Sequence, residues 1–499
     1  MEIKVATGDI TRTKVGALIV SHFEGTKEPE STAAVVDRML DGAISQLIRQ
    51  KEIRGKPGEI TPIYSLGKLP ADRVVVVGLG KKAELNLDKV RSAVAETCRS
   101  LRQKEAGTIA TAPLGEGIGG ITAEGSAQAI TEGALLGLYS FRKHITKKAE
   151  HGEIEQLSIV GDSRALRQAL EAGSRKGKIL AEATNLARDL VNEPSNYMTP
   201  SRIAEVASEL ASTCGLQVTV LEREQMQEMG MGALLGVAQG SEQPPKFIVL
   251  RYKGRDTAKP DVTVIGKGIT FDSGGISIKP SEGMGEMKGD MAGGAAMIGA
   301  LSAIAQLRPR INVMGIMAAT ENMPSGHALK PGDVLKSMSG KTIEIISTDA
   351  EGRLTLADAL DYAKKQGSKA IIDLATLTGA MRIALGDICT GSFSNNKELE
   401  NKVVAAGTEA GERIWPMPMY EEYKEKNKSD VADIQNTGGR GAGAITAAQF
   451  LAEFAGDTPW VHLDIAGTSM AEKDRGPLVK GATGVPVRTI VNFVLSQAR

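Results

Sequence analysis

Val262-Thr263-Val264-Ile265-Gly266-Lys267-Gly268-Ile269-Thr270-Phe271-Asp272-Ser273-Gly274-Gly275 is a β-branched run that ends in a charged, glycine-rich turn. The charge-free, Ala/Gly-rich stretch Met291 to Leu307 and the apolar run Ile311 to Ala318 follow it. Together they predict a strand near Val262 to Ile265, a helix, and a second strand. Further strands are expected over Thr342 to Ser347, Ala370 to Ala375 and Trp460 to Ile465, with a helix over Leu354 to Lys365. Such alternation predicts a mixed, largely parallel sheet covered by helices, with ligands beyond the carboxyl ends of its strands. Met291 to Leu307 falls short of the roughly 20 apolar residues that span a bilayer, so it reads as a buried helix and no membrane partner is expected.

Upstream, Gly16 to Val20 and Arg73 to Val77 read as strands and Ala123 to Leu136 as a helix, which makes a smaller N-terminal α/β domain. Ser163 to Leu190 is rich in Ala, Leu, Arg and Lys and reads as a linking helix; Asn192 to Pro200 reads as a loop. The expected division is 1–165, a linking helix over 166–192, and a larger domain over 193–499. A chain of 499 residues is too long for one compact core, and 41% hydrophobic residues exclude a mostly disordered chain. Sixty Lys+Arg balance sixty Asp+Glu, which removes the whole-chain electrostatic signature of nonspecific nucleic-acid or anionic-membrane binding and leaves a local patch open. Cys98, Cys214 and Cys389 are too few and scattered for a disulfide framework. Charges near the start, Met1-Glu2-Ile3-Lys4, argue against a secretory signal, so a cytoplasmic location is expected.

Four segments concentrate chemistry at expected strand ends: Gly266 to Gly275 leading to Lys279-Pro280, Met287-Lys288-Gly289-Asp290, Ser347-Thr348-Asp349-Ala350-Glu351-Gly352-Arg353, and Asp373-Leu374-Ala375-Thr376-Leu377-Thr378-Gly379. Each has a purely structural reading. Thr348 to Glu351 could be a capping box, Asp290 an N-cap, Asp272 to Gly275 an Asx turn, and Lys267 and Lys279 solvated lysines. Taken together, four carboxylates in one cleft would repel by about 4 kcal/mol per close pair at intermediate dielectric. Two divalent cations would offset them, as in two-metal hydrolases; so would Lys267, Lys279 and Arg353 acting as a salt-bridge network.

The Gly-Lys-Gly…Phe-Asp-Ser-Gly-Gly…Lys-Pro…Met-Lys-x-Asp run and the Thr-Asp-Ala-Glu-Gly-Arg-Leu signature closely resemble the leucyl aminopeptidase (cytosol aminopeptidase) family of dizinc exopeptidases. The resemblance is strong over about 190 to 499, including Ser429 to Asp433, His462 to Gly467 and Gly481 to Gly484, and weak over the first 165 residues. It implies one metal held by Asp272, Asp349 and Glu351 and another by Lys267, Asp272, Asp290 and Glu351. Lys267 must be neutral to serve as a ligand. The ions would be zinc or manganese, with magnesium or cobalt as further candidates. By the same resemblance Lys279 stabilises the oxyanion, Arg353 holds a bicarbonate that acts as general base, and Met287, Thr376 and Ala466 line a side-chain pocket. The expected activity is removal of an N-terminal residue, preferably leucine or another apolar one, from peptides with a free N-terminus. A metal-bridging hydroxide is the expected nucleophile. A macro-like first domain, a homo-hexamer, and DNA binding in some bacterial relatives are further implications of the family.

A rival class rests on Gly115-Glu116-Gly117-Ile118-Gly119-Gly120, which matches the dinucleotide fingerprint and suggests an NAD(P)-dependent oxidoreductase. No acidic residue ends a strand about 20 residues further on, where that fingerprint needs one. A nucleophilic Cys389 paired with His327 or His462 is a weaker alternative, since lone histidines and buried cysteines are usually structural; His462 itself reads as a satisfied sheet residue.

Overall fold

The computed structural model describes residues 1–498. Two compact units emerge, one of Met1–Glu182 with Lys473–Val479, the other of Ala183–Glu472 with Lys480–Arg499. The expected linking helix is one continuous helix, Arg164–Asn192, and the division falls within it. Nothing in the sequence pattern set Lys473–Val479 apart from its neighbours.

The first unit holds a six-stranded sheet in the order Glu2–Thr7, Gln156–Gly161, Thr108–Thr111, Ala17–His22, Arg73–Gly78, Ile60–Tyr64. All neighbours are parallel except the edge strand Ile60–Tyr64. Its central strands are continuous hydrophobic runs because both faces are covered, with separate cores built around Val75 and Val77 on one face and Val74 and Val76 on the other.

The second unit holds an eight-stranded sheet in the order Ile414–Pro416, Thr390–Ser394, Trp460–Asp464, Ile371–Ala375, Val262–Asp272, Asn312–Asn322, Lys246–Lys253, Gln217–Leu221. Its centre, from Trp460–Asp464 to Asn312–Asn322, is parallel, and antiparallel pairs flank it. The Thr342 to Ser347 expectation needs correcting. That segment contributes just Thr342–Glu344 to a separate three-stranded sheet, so Ser347 to Arg353 reaches the site as a loop rather than as a strand end.

The helix Ala292–Leu307 is buried along its length. Counted with the short helical turn before it, Met284–Leu307 is long and apolar enough to cross a membrane, but it is mostly buried inside the fold, as the core helix of a globular unit is. Its glycines explain how closely it packs. A Cβ on Gly293 would meet the Leu374 carbonyl oxygen at 1.9 Å, and one on Gly266 would meet the Gly293 oxygen at 2.4 Å. Small residues therefore let helix and strand backbones touch, and this carries Asp290, just before the helix, to the side of Lys267.

Candidate active site

Lys267 lies in mid-strand and Asp272 at the end of Val262–Asp272. Five residues apart, they would point to opposite faces under strict alternation. The pairing with Asn312–Asn322 shifts register between Thr320 and Glu321, so the first strand carries one extra residue there. This bulge turns Asp272 to the face of Lys267. Both side chains line one cavity of about 420 Å³, together with Lys279, Met287, Asp290, Asp349, Glu351, Arg353, Thr376 and Ala466. Every site residue expected from the sequence thus opens on the same space.

Asp272, Asp290 and Glu351 are buried, with ligand oxygens all within 4.8 Å of one another. The Lys267 Nζ lies 2.7 Å from Asp290 Oδ2 and 2.7 Å from Glu351 Oε1, and Lys279 Nζ lies 2.8 Å from Asp272 Oδ2 and in contact with Asp349. Burial would lower the Lys267 ammonium, but the carboxylates of Asp290, Glu351 and Asp272 outweigh it and raise its pKa. The Lys279 ammonium is raised in the same way, against its own burial, by Asp272 and Glu351. Burial and neighbouring carboxylates push Asp290 and Glu351 up, against the pull of Lys267.

Several of the structural readings give way here. Asp290 is not the N-cap of the following helix: Met291 holds that place, Asp290 closes the short helix Met284–Gly289 through its backbone, and its Oδ1 accepts from Thr376 Oγ1 at 2.7 Å. No capping box forms at Thr348 to Glu351, because Glu351 itself is the N-cap and makes no side-chain cap bond. Thr348 Oγ1 donates to the Gly274 carbonyl at 2.6 Å, tying the two acidic loops together. The Asx turn does form, with Gly274 N–H donating to Asp272 Oδ1 at 2.9 Å. Gly274 adopts φ +86, and a Cβ there would meet Asp349 Oδ1 at 2.9 Å, so the loop requires glycine. Lys267, 3% exposed, is no solvated lysine.

Arg353 is buried, and its Nη1 donates to the Asn436 carbonyl at 2.8 Å. Burial pushes its pKa down to about 10, with Glu351 and Asp464 opposing the shift, so it stays a cation near neutral pH. Among the described residues it does not pair with the site carboxylates, and its Nε has no hydrogen-bond partner.

Two residues escaped sequence reasoning. Asn322 Nδ2 donates to Asp272 Oδ1 at 2.8 Å and to the Thr348 carbonyl at 3.0 Å. Asn436 Oδ1 accepts from Ile346 N–H and its Nδ2 donates to the Ser347 carbonyl, which fixes the third loop. Neither lies in a charged motif; Asn322 stands opposite Asp272 in the strand register, a signal that needs the strand neighbours to be known.

The donor set suits hard divalent cations: carboxylate oxygens, a lysine amine and no thiolate. Two lysines face four carboxylates, and Glu351 Oε2 is buried with no hydrogen-bond partner among the described residues. A polar atom in that position costs free energy unless something cationic reaches it.

The other candidates fare differently. The helix after Gly115 to Gly120 begins at Ala123 under a Thr122 cap, so the glycines form a separate loop rather than the first turn of that helix. Cys389 contacts its neighbour's carbonyl, Thr390 O, at 3.7 Å, and burial raises its pKa, which opposes a thiolate. His462 is satisfied on one side alone: Nδ1 pairs with Asp373 Oδ1 at 2.6 Å, while Nε2 is buried without a partner.

The chain is similar to known proteins over its whole length. The catalytic-domain model of the cytosol aminopeptidase family matches residues 185–491, and its N-terminal-domain model matches 19–148. A probable cytosol aminopeptidase of Alkaliphilus oremlandii is 45% identical with all of both chains covered, and one of Geobacter sulfurreducens is 44% identical over the same extent. The solved structure titled bottromycin maturation enzyme BotP in complex with Mn is 34% identical at a TM-score of 0.86, covering 97% of this chain and 100% of that one. A mutant of tomato leucine aminopeptidase is 35% identical at a TM-score of 0.87, covering 99% and 96%. Nothing in these matches supports the oxidoreductase alternative. With both domains matched and full-length relatives at this identity, the chain belongs to the cytosol aminopeptidase family of metal-dependent exopeptidases.

Proposed function

We propose that the cleft holds two divalent cations and removes N-terminal residues, leucine and other apolar ones by preference, from peptides. The observation that carries this reading is the excess of buried acid: three carboxylates within 4.8 Å, opposed by two lysines, with Glu351 Oε2 unpartnered. Asp272 and Glu351 would bridge the two ions, Asp349 would complete one site, and Lys267 and Asp290 the other. When bound, the cations supply an activated water and polarise the scissile carbonyl.

The chain's own residues do the rest. Lys267 would hold an ion as a neutral amine, its proton released to solvent, which would leave Asp290 and Glu351 free to bind. Lys279, about one-fifth exposed at its side chain and lining the cavity, keeps its ammonium for the oxyanion of the tetrahedral intermediate, where one preorganised donor is worth about 3 to 4 kcal/mol. Arg353 faces the cavity as a cation with Nε unpartnered, which suits a small anion such as bicarbonate that could take the proton of the attacking water. Met287, Thr376 and Ala466 line the pocket for the first side chain. A cytoplasmic hexamer is part of this reading and is read by native mass.

The test is hydrolysis of a leucine chromogenic amide after chelation, with Mn²⁺, Zn²⁺, Mg²⁺ and Co²⁺ restored singly. Activity should vanish on chelation and return with at least one ion; Lys279→Ala should lower kcat with the metal content unchanged. Full activity in chelator would contradict the reading.

A further inference from the structure

Asp464 is a buried carboxylate that the mechanism above does not use. It ends the strand Trp460–Asp464, 1% exposed, in register with Ala375 of the neighbouring strand. Its Oδ1 accepts from two backbone N–H groups, Leu377 at 3.2 Å and Ala466 at 3.1 Å, and its Oδ2 accepts from Thr378 Oγ1 at 2.7 Å. These partners belong to two turns, each following one of two neighbouring parallel strands, and both turns, Thr376 to Gly379 and Ala466 with Gly467, line the cavity. One carboxylate therefore clamps two walls of the same pocket.

Each wall is held elsewhere too, so the clamp fixes their relative position. Thr378 Oγ1 also accepts from Met381 N–H and so caps the helix Gly379–Leu385. Thr376 bonds Asp290 through its hydroxyl at 2.7 Å and receives Lys267 Nζ at its carbonyl at 3.2 Å. On the other wall, a Cβ on Gly467 would meet the Gly386 carbonyl oxygen at 2.0 Å, so that turn is pressed against its surroundings. A buried carboxylate needs such a full set of donors, and here the donors are the pocket's own rims.

We propose that Asp464 is a positioning residue for substrate selection: by clamping the Thr376–Gly379 and Ala466–Gly467 turns it sets the width of the pocket that receives the first side chain. This rests on the reading of Thr376 and Ala466 as walls of that pocket. Asp464 is not one of the residues that line the cavity, and it acts through the spacing of the two turns. Asn at this position keeps one oxygen that accepts from Leu377 and Ala466, whereas Ala removes all three bonds.

The experiment measures kcat and KM for leucine and alanine p-nitroanilides with manganese-loaded wild type, Asp464→Ala, Asp464→Asn and Thr378→Val, together with metal content and thermal midpoint. One methylene in an apolar pocket is worth about 10- to 200-fold in discrimination. Asp464→Ala should lose about tenfold of the leucine-over-alanine ratio, chiefly by raising KM for leucine, with two ions still bound per chain. Asp464→Asn should recover most of that ratio. Should the alanine variant not fold, Thr378→Val, which removes the Oδ2 bond together with the cap bond from Met381 N–H but leaves both bonds at Oδ1, should lower the ratio by a smaller factor, and Thr378→Ser, which keeps the hydroxyl, should leave it unchanged. Equal loss on both substrates, or an unchanged ratio in every variant, would overturn the assignment of Asp464. A wild type without selectivity would instead overturn the pocket reading, and this assignment with it.

Discussion

Replacing Lys267 by Met in the metal-free enzyme tests the electrostatics of the cleft by itself. Lys267 Nζ sits 2.7 Å from both Asp290 and Glu351, with side chains of all three no more than 7% exposed. Removing it strands two buried carboxylates whose ligand oxygens lie within 4.8 Å. At that separation and an effective dielectric of about 20, their repulsion is about 3.5 kcal/mol, in line with the roughly 3 to 5 kcal/mol lost when one partner of a buried pair is deleted. The loss depends on pH, and its sign follows from burial. Asp290 and Glu351 are already raised above their ordinary values and rise further without Lys267. The folded variant then holds protons that the unfolded chain releases, so its stability is retained at low pH and falls as pH rises through the folded pKa values. Urea unfolding in chelator, at pH 5.5 and pH 8, gives the answer. The two tryptophans, Trp415 and Trp460, both belong to the second unit, so their fluorescence follows that unit alone. A loss of about 3 to 5 kcal/mol at pH 8 that shrinks at pH 5.5 is expected. A change below about 1 kcal/mol, the scale of an exposed pair, or a loss that grows in acid, would refute the reasoning.

Other perturbations follow from the same geometry. Gly352→Ala places a Cβ 2.4 Å from Lys267 Cε and 2.7 Å from its Nζ; Lys267 must shift, and metal titration should show the affinity weakened by at least tenfold. Thr376→Val removes the donor to Asp290 Oδ1, and loss of such a ligand-orienting bond should cost about 10- to 100-fold in metal affinity or kcat. Gly293→Ala forces a Cβ to 1.9 Å from the Leu374 oxygen, and denaturant titration should show a loss of at least about 1 to 3 kcal/mol. Asp358 is fully buried and accepts from Leu234 N–H and Met338 N–H; burial pushes it up to about 7. Its contribution to stability falls as pH rises from about 4 to 7, by about 1.4 kcal/mol per unit, and paired urea titrations should show Asp358→Asn without that slope.

The site was legible in the sequence because its chemistry is carried by local runs. Lys267, Asp272 and Lys279 lie within 13 residues of one another, and Asp349, Glu351 and Arg353 within five. The parallel core was legible from runs such as Val262 to Ile265 and Ala370 to Ala375, which read as buried strands whatever their order. Where Asp290 would point was not legible: an Asp ahead of a helix is an ordinary cap, and the contact between Gly266 and Gly293 that redirects it is long-range. The same holds for the bulge opposite Thr320, which turns Asp272 toward Lys267. Asn322 acts through neighbours 26 and 50 residues away, and Asp464 joins its near neighbour Ala466 to residues 86 and 87 away; such partners acquire meaning once the strand order is known. Thr342 to Ser347 failed for another reason, since a short β-branched run fits a small accessory sheet as well as the main one.

Anomalous diffraction from crystals grown with manganese addresses the central claim most directly. The account predicts two peaks per chain about 3.5 to 4 Å apart, between Asp272 and Glu351, with Lys267 no longer paired as an ammonium to Asp290. Density without such peaks, and with Lys267 and Lys279 still bridging the four carboxylates at saturating metal, would contradict it.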